Sequence, residues 1–153
     1  EDNQMKITMR FEGKMDLRVP EGATEDAIRQ GLRTTILAVH ADAVRNSPVS
    51  AQWPSIAKDE RRPTGMNRRS ITAEVSGLGR VAGTDTEHIV DDQKLEAAVY
   101  GTSGYGGYLE TGTRGVNEDG AWAWRMPPRP YIRPAMDRHG KGLPANIRAA
   151  MPK

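Results

Sequence analysis

The chain has 153 residues, and its 22 Lys and Arg nearly balance its 20 Asp and Glu, for a formal net charge of +2. This balance disfavours a strong nucleic-acid binder, which carries a clustered excess of basic side chains. Cysteine is absent, which excludes disulfides, thiolate metal sites and a cysteine nucleophile. The longest apolar runs span only a few residues, so neither a membrane span nor a signal peptide is expected.

The composition also bounds the architecture. A chain of this length is expected to fold as one domain, so residues 1–153 are predicted to form a single unit. Apolar residues make up only 37% of the chain, and 16 residues are Gly and 10 are Pro. This predicts a small core that carries long loops, or a protein that partners complete.

The N-terminal residues have the pattern of a β-hairpin. Apolar and polar residues alternate over residues 5–12, which is the period of a half-buried strand. The alternation resumes over residues 15–19 after Gly13-Lys14, a pair typical of a tight hairpin turn. We therefore predict a hairpin within residues 1–22.

A long amphipathic helix is predicted next. Thr24 is a suitable N-cap, and Glu25 and Asp26 would face the positive end of the helix dipole. Arg45 to Pro48 should end the helix, after about six turns. Apolar residues at spacings of three and four define one face: Ile28, Leu32, Ile36, Val39 and Ala43.

The middle of the chain predicts loops around short strands. Residues 47–64 are polar and punctuated by proline, and are interpreted as a loop insertion. Residues 65–70 predict one helical turn that leads into a strand over residues 71–75. The remaining predicted elements are a loop over 77–86, a short strand over 88–90 and a strand over 95–100.

Six of the eight aromatic residues and seven of the sixteen glycines lie between Val99 and Ala135. This favours a shaped glycine-rich loop, followed by a second loop insertion over residues 114–126 that includes an extended segment. Arg129 and Arg133 precede prolines and should be extended, and Pro134 suits the first position of a helix. Two short C-terminal helices are expected.

Together these patterns predict an α+β fold. The long helix should pack on a small, mostly antiparallel sheet, with the N-terminal hairpin, long loops and short C-terminal helices around it.

Each catalytic or cofactor template fails at a particular residue. Leu109 occupies the position of the third glycine of a dinucleotide loop, and Gly101 to Gly104 lack the spacing of a serine nucleophile elbow. The acidic residues around His88, within residues 85–92, could gather a metal, but a solvated acidic turn is favoured. We therefore predict that the chain is not an enzyme and has no cofactor, metal or catalytic residues.

Glu110 is the only carboxylate within residues 99–113. The favoured interpretation is that it accepts backbone N–H bonds from the Gly112-Thr113 turn, or pairs with Arg129 or Arg133. The alternative is a hydrolase in which Glu110 works with a second carboxylate, namely Asp85 or Asp92.

Arginines and aromatic residues interleave in residues 124–138. This mixture suits protein interfaces and also phosphate contact with base stacking, and the balanced net charge favours the interface. A DNA-contacting module remains the alternative, with Arg61, Arg62, Arg68, Arg69, Arg129, Arg133 and Arg138 as its basic residues.

Four short motifs resemble, in the same order, those of phage neck or tail-completion proteins, the tail-component family typified by gene product ten of the lambdoid phage Hong Kong ninety-seven. Residues 105–113, Tyr-Gly-Gly-Tyr-Leu-Glu-Thr-Gly-Thr, resemble its Tyr-Ala-x-Tyr-Val-Glu-Phe-Gly-Thr signature. Residues 129–135, Arg-Pro-Tyr-Ile-Arg-Pro-Ala, match its Pro-Phe-Leu-Arg-Pro-Ala element. Ser47-Pro48-Val49 resembles its Ser-Pro-Val-Asp-Thr-Gly start. Residues 64–71 resemble its Thr-Gly-x-Leu-Arg-x-Ser-Ile, with Asn67 in place of leucine.

The resemblance covers about residues 24–150 and leaves out the N-terminal hairpin and an apparent insertion over residues 51–63. It implies a non-catalytic virion protein of the head–tail junction of a long-tailed bacteriophage. Such a protein forms a homo-oligomeric ring, expected as a hexamer, around the DNA channel. Its expected partners are the head-closure or connector protein and the tail-terminator or tail-tube proteins, and it passes through the host cytoplasm during assembly. A tail-terminator ring is the alternative.

Residues 105–113 and 129–135 are expected to hold the subunit's shape, while the loop between them meets a neighbouring subunit. The residues assigned to these motifs and interfaces are Tyr105, Tyr108, Leu109, Glu110, Gly112, Thr113, Trp122, Trp124, Arg129, Pro130, Tyr131, Arg133 and Pro134.

Overall fold

A computed structural model describes residues 19–48, 66–84, 87–103, 106–116 and 118–153. The predicted N-terminal hairpin within residues 1–22 and the predicted insertion over residues 47–64 therefore lie almost wholly outside the described residues. The helices are α1 (Glu25–Asn46), α2 (Met66–Ser70), α3 (Gly106–Thr111), α4 (Ile132–His139) and α5 (Leu143–Ala150). The strands are β1 (Ile71–Val75), β2 (Gly79–Ala82), β3 (Ala97–Gly101), β4 (Thr113–Val116) and β5 (Trp122–Met126).

The long helix α1 begins where the sequence predicts. Thr24 is extended, with φ −79° and ψ 160°, and its Oγ1 accepts a hydrogen bond from the Ala27 backbone N–H at 3.2 Å. Glu25 and Asp26 occupy the first turn and Arg45 the last, as the helix dipole favours. Within the described residues, no helix has the length and apolarity needed to cross a membrane.

The buried surface of α1 is wider than the predicted apolar face. Ile36, Val39 and Ala43 are buried as predicted. Gly31, Thr35 and Asp42, which are small or polar, are buried as well. The apolar face packs on the sheet and the small and polar face packs on α4 and α5, so helical periodicity alone detects only the first of the two contacts.

Strands β1, β2 and β3 form an antiparallel sheet in the order β2-β1-β3. The predicted α+β fold, with a long helix on a small antiparallel sheet and short C-terminal helices, is confirmed. The core between helices and sheet contains Ile36, Val39, Ala43, Ile71, Ala73, Val75, Val99, Leu109, Tyr131, Ile132 and Ala135.

The opposite face of β1 is buried too, although its residues are polar. Thr72, Glu74 and Ser76 are each no more than 1% exposed. The backbone around Ile89 covers this face, and its N–H donates to Glu74 Oε2 at 3.1 Å. The predicted strand over residues 88–90 is wrong, because that N–H bonds to a side chain rather than to a neighbouring strand.

Two strands lie where loops were predicted. Strand β2 follows a tight turn in which Gly77 and Gly79 have φ of +73° and +71°, and the Leu78 N–H donates to the Val75 carbonyl at 3.0 Å. Strand β4 pairs with β5 in a separate two-stranded sheet. Both strands are short and carry glycine and arginine, so neither shows a clear alternation of apolar and polar residues. Their pairing depends on the neighbouring strands, which the sequence pattern does not identify.

The predicted glycine-rich loop contains a short helix instead. Helix α3 ends at Gly112, which has a φ of +71°, and the Gly112 N–H donates to the Tyr108 carbonyl at 2.7 Å. Glycine is a poor helix former, so the contacts described below must stabilise α3.

The two predicted C-terminal helices are confirmed, and α5 lies very close to α1. A Cβ placed on Gly31 would stand 2.4 Å from Ile147 Cγ1 and 2.8 Å from its Cα. Asn146 Nδ2 donates to Thr35 Oγ1 at 2.8 Å across the same contact. Glycine at position 31 thus permits the close packing of these helices, despite its intrinsic cost within a helix.

The start of α4 corrects two predictions. The helix begins at Ile132 rather than at Pro134, so Arg133 is helical and not extended. Pro134 is the third helical residue, still in the first turn, where a missing N–H breaks no intrahelical bond.

Candidate functional site

A buried polar junction lies where α1 ends and α2, α3 and α4 begin, and Asn67 of α2 is its centre. Asn67 is 3% exposed. Its Nδ2 donates to Ser47 Oγ at 3.0 Å, and its Oδ1 accepts from Ser103 Oγ at 2.6 Å. The Tyr131 hydroxyl approaches the same Oδ1 at 3.4 Å, which is a long bond. One amide therefore connects three distant segments of the chain.

Helix α3 enters this junction through a glycine. A Cβ on Gly106 would lie 2.9 Å from both Asn67 Oδ1 and the Tyr131 hydroxyl. No side chain fits there unless the polar groups move. The glycine that looked like part of a ligand-binding loop in the sequence instead allows the helix to approach the amide closely.

The end of α1 is fixed to α2 by a second contact. Ser47 is 1% exposed, and its carbonyl accepts a hydrogen bond from the Arg68 guanidinium at 2.8 Å. Arg68 is one of the basic residues of the alternative DNA-contacting module, and in the structure its guanidinium binds backbone between two helices.

Glu110 caps helix α4. Its Oε1 accepts the backbone N–H groups of Tyr131 at 2.8 Å and Ile132 at 2.5 Å, and the residue is 8% exposed. The N-cap residue Tyr131 supplies no side-chain cap of its own. A carboxylate at a helix N-terminus is favoured by the helix dipole and by the unpaired N–H groups there.

The sequence predicted the role of Glu110 but not its partners. It does accept backbone N–H bonds, yet the donors are Tyr131 and Ile132, not the Gly112-Thr113 turn, and neither arginine is needed. The Arg129 N–H adds a third link between α3 and α4, because it donates to the Leu109 carbonyl at 2.6 Å.

The predicted interface residues separate into buried and exposed groups. Leu109, Glu110 and Tyr131 are buried in or beside the junction. Gly112 ends α3 and Thr113 begins β4. The exposed members are Tyr108, Trp122, Pro130 and Arg133, with Arg129 and Pro134 half-buried. Tyr105 and the side chain of Trp124 lie outside the described residues.

The hairpin of β4 and β5 carries an exposed apolar pair. Val116 and Trp122 stand opposite each other in the strand register, so their side chains lie on the same face of the hairpin. Val116 is 49% exposed and Trp122 is 70% exposed. A hairpin of two strands is at best marginally stable on its own in water, and an exposed tryptophan is typical of a surface that contacts a partner.

Sequence reasoning missed Asp42, which joins α1 to α4. Asp42 is buried, and Arg138 binds it through Nε and Nη2, both at 2.7 Å, while His139 Nε2 lies 2.7 Å from Oδ2. The hydrogen bonds from Arg138, helped by those from His139 and Asn46, hold the pKa of Asp42 far below its ordinary value, although burial acts in the opposite direction. The sequence feature that could have revealed this contact is the position of Asp42, an acidic residue between Val39 and Ala43 on the buried side of α1.

A second buried carboxylate lies on the far face of the sheet. Glu74 Oε2 accepts a bond from the Tyr100 hydroxyl at 3.1 Å, and Oε1 contacts His88 Nδ1. His88 Nε2 lies 3.2 Å from Asp92 Oδ2. His88 thus joins two carboxylates through its two nitrogens, and no group of three His, Asp or Glu side chains within the described residues is arranged to hold a metal. Asp85, the other acid considered with Glu110, lies outside those residues.

The contacts of the junction link segments of the backbone to one another. Glu110 and Asn67 bond to backbone and neutral side chains, and Asp92, the other proposed acid, bonds to Gly77 N–H at 2.8 Å and contacts His88. Among the residues that the structure describes, Glu110 contacts no second titrating side chain. No protein-family model, curated protein or solved structure matches this chain.

Proposed function

We propose that this chain is a structural subunit of the head–tail junction of a long-tailed bacteriophage. In this proposal it assembles as a homo-oligomeric ring, expected as a hexamer, between the head connector and the tail. It acts without catalysis or cofactor, in the virion and, during assembly, in the host cytoplasm. A tail-terminator ring is the alternative within the same class.

The observation that carries the proposal is the polar junction. The four motifs that resemble the neck family are widely separated in sequence, and each contributes to it. Ser47 comes from the first motif, Asn67 from the second, Glu110 from the third and Tyr131 from the fourth. Motifs that meet in one buried joint are what a shared fold requires, which favours the resemblance over four unrelated coincidences.

The chemistry of the junction supports a structural role. Ser47, Asn67, Glu110 and Tyr131 are buried and hydrogen-bonded, and buried polar side chains that have their partners fix geometry. Glu110 is held by the backbone N–H groups of Tyr131 and Ile132. These contacts favour a rigid frame for assembly over a hydrolase.

The hairpin supports assembly with a neighbour. Val116 and Trp122 place exposed apolar area on one projecting element. A closed ring joins one surface of each subunit to a different surface of the next. The hairpin is suited to be one of the two surfaces, because Val116 and Trp122 are apolar and exposed and, among the described residues, it has two strands.

Electron microscopy tests the proposal at two levels. The purified chain, examined by light scattering and negative staining, should form closed rings of one size. In the phage that carries this gene, a labelled antibody should mark the neck of intact particles. Particles assembled without the gene are the control and should accumulate as separate heads and tails.

The same experiment separates the two ring types. A neck adaptor should remain on heads that lack tails, whereas a tail terminator should remain on tails that lack heads. An antibody that marks neither structure would contradict both forms of the proposal.

A further inference from the structure

The net charge of the chain conceals an uneven distribution. Residues 132–153 contain five basic residues, Arg133, Arg138, Lys141, Arg148 and Lys153, and one acidic residue, Asp137. This segment therefore carries +4, and the remaining residues carry −2 to give the total of +2. The segment consists of α4, the 3-10 turn Gly140–Gly142, α5 and the last three residues.

Most of these basic side chains are not used inside the fold. Arg138 is bound to Asp42. Arg133, Lys141, Arg148 and Lys153 are exposed. Within the part of the chain that the structure describes, none of these four has an ion pair or a side-chain hydrogen bond. Four cations thus face solvent in a segment with a single exposed carboxylate.

These side chains belong to the C-terminal segment whose two helices pack on α1. The inner sides of α4 and α5 are held against α1, through Asp42 for α4 and through Gly31 and Ile147 for α5. Solvent reaches Arg133 and Asp137 on α4, and Ala145, Arg148 and Ala149 on α5. We call this the basic helical face, defined by Arg133, Lys141, Arg148 and Lys153.

We propose that the basic helical face binds the phosphate backbone of duplex nucleic acid. Protein interfaces concentrate aromatic and apolar residues at their centres. The large exposed apolar side chains of the described residues all lie elsewhere, at Val19, Leu78, Leu95, Tyr108, Val116 and Trp122. A surface of cations and small residues instead matches nucleic-acid interfaces, which are more polar and much more positive.

The proposed contact is to phosphate oxygens, which lysine and arginine bind without reading sequence. Base edges are read by amide as well as by guanidinium side chains. The amide of this segment, Asn146, is bound to Thr35, and no exposed aromatic ring lies within residues 132–153 to stack on a base. The inference stands whether or not the chain forms a ring, because it uses the surface of one subunit.

The test measures binding of the full chain to a fluorescent duplex of mixed sequence, by anisotropy, over a range of salt concentrations. The double variant Lys141→Gln/Arg148→Gln removes two charges from the basic helical face. The matched control Arg33→Gln/Arg45→Gln removes two exposed charges from α1, so both variants have the same net charge. Circular dichroism confirms that each variant is folded.

The wild-type chain should bind at about 50 mM salt, with affinity that falls steeply as salt rises. The Lys141→Gln/Arg148→Gln variant should bind about tenfold more weakly, with a salt slope smaller by about 2, because two phosphate contacts are lost. The Arg33→Gln/Arg45→Gln control should bind nearly as well as wild type. Absence of binding, or equal weakening in both variants, would overturn the proposal.

A competition experiment addresses an acidic protein partner. Poly-glutamate at the same charge concentration should compete poorly with the duplex. If it competes equally well, the face is not specific for phosphate and the assignment to nucleic acid is overturned.

Discussion

The polar junction and the β4–β5 hairpin are opposites in construction. Around Asn67, polar side chains are buried and bonded to partners from four segments. In the hairpin, Val116 and Trp122 are apolar and exposed, on a sheet of only two strands. Substitutions in the junction should therefore act on the stability of the fold, and substitutions in the hairpin should act on association. Four predictions test this division, in order of their expected effect on the free energy of unfolding.

The largest loss of stability is expected from Asn67→Leu. Leucine cannot bond to Ser47 or Ser103, so the buried Ser47 hydroxyl and the half-buried Ser103 hydroxyl both lose a partner. Each unsatisfied buried polar group costs about 1–3 kcal/mol, so the free energy of unfolding should fall by about 2–4 kcal/mol. Urea denaturation measures this change.

Tyr131→Phe is the comparison for that prediction, because it removes the 3.4 Å contact to Asn67 and leaves the bonds of Asn67 to Ser47 and Ser103 in place. It should cost less than about 1 kcal/mol. Leucine is the residue at this position in the phage neck motif that residues 64–71 resemble. An Asn67→Leu variant of unchanged stability would show that the junction does not depend on the amide.

Glu110→Gln is expected to have the next largest effect. Glutamine keeps the shape and one acceptor oxygen but removes the charge from the N-terminus of α4. The free energy of unfolding should fall by about 1–2 kcal/mol, since charge-assisted bonds exceed neutral ones. Glu118→Gln, in the exposed hairpin turn, is the matched control and should change stability by less than about 0.5 kcal/mol. Equal effects of the two substitutions would contradict the capping role.

The sequence predicts elements whose causes are local. The N-cap at Thr24, the apolar spacing of α1 and the alternation in β1 and β3 all act within a few residues, so they can be found without the fold. Helix α3 could not be found this way, because its two leading glycines disfavour a helix. Helix α3 is stabilised by the close approach of Gly106 to Asn67 and by the hydrogen bonds that Glu110 accepts from Tyr131 and Ile132. These partners are distant from α3 in sequence.

In the candidate site, too, some features follow from the local sequence and others depend on partners that are distant in sequence. The motifs mark which residues matter, and the acceptor role of Glu110 follows from its isolation among glycines. Its donors do not follow, because they depend on where α4 begins. Asp42 and Glu74 were missed since a carboxylate is ordinarily expected at the surface, and only the packing of two layers makes them internal.

Asp42 provides a prediction about the pH dependence of the free energy of unfolding. Its folded-state pKa is depressed by Arg138, whereas the unfolded value is about 3.9. The unfolded chain therefore binds the proton more readily, and the stabilisation is complete above about pH 5 and is lost as the pH falls. Between pH 6 and pH 3, wild type should lose more stability than Asp42→Asn, measured by urea denaturation at each pH. Parallel pH profiles for the two proteins would contradict this account.

The smallest effect on folding, and the largest on assembly, is expected from Trp122→Ser. The side chain is 70% exposed, so the free energy of unfolding should change by less than about 0.5 kcal/mol. If the hairpin contacts a neighbouring subunit, loss of an aromatic anchor costs about 2 kcal/mol, or roughly thirtyfold in the dissociation constant. Sedimentation equilibrium should then show dissociation at concentrations where wild type is assembled.

Leu78→Ser, which removes a 39% exposed apolar side chain from the β1–β2 turn, should leave assembly intact. A Trp122→Ser variant that unfolds more easily yet assembles normally would reverse the comparison, because the hairpin would then belong to the stabilising part of the molecule.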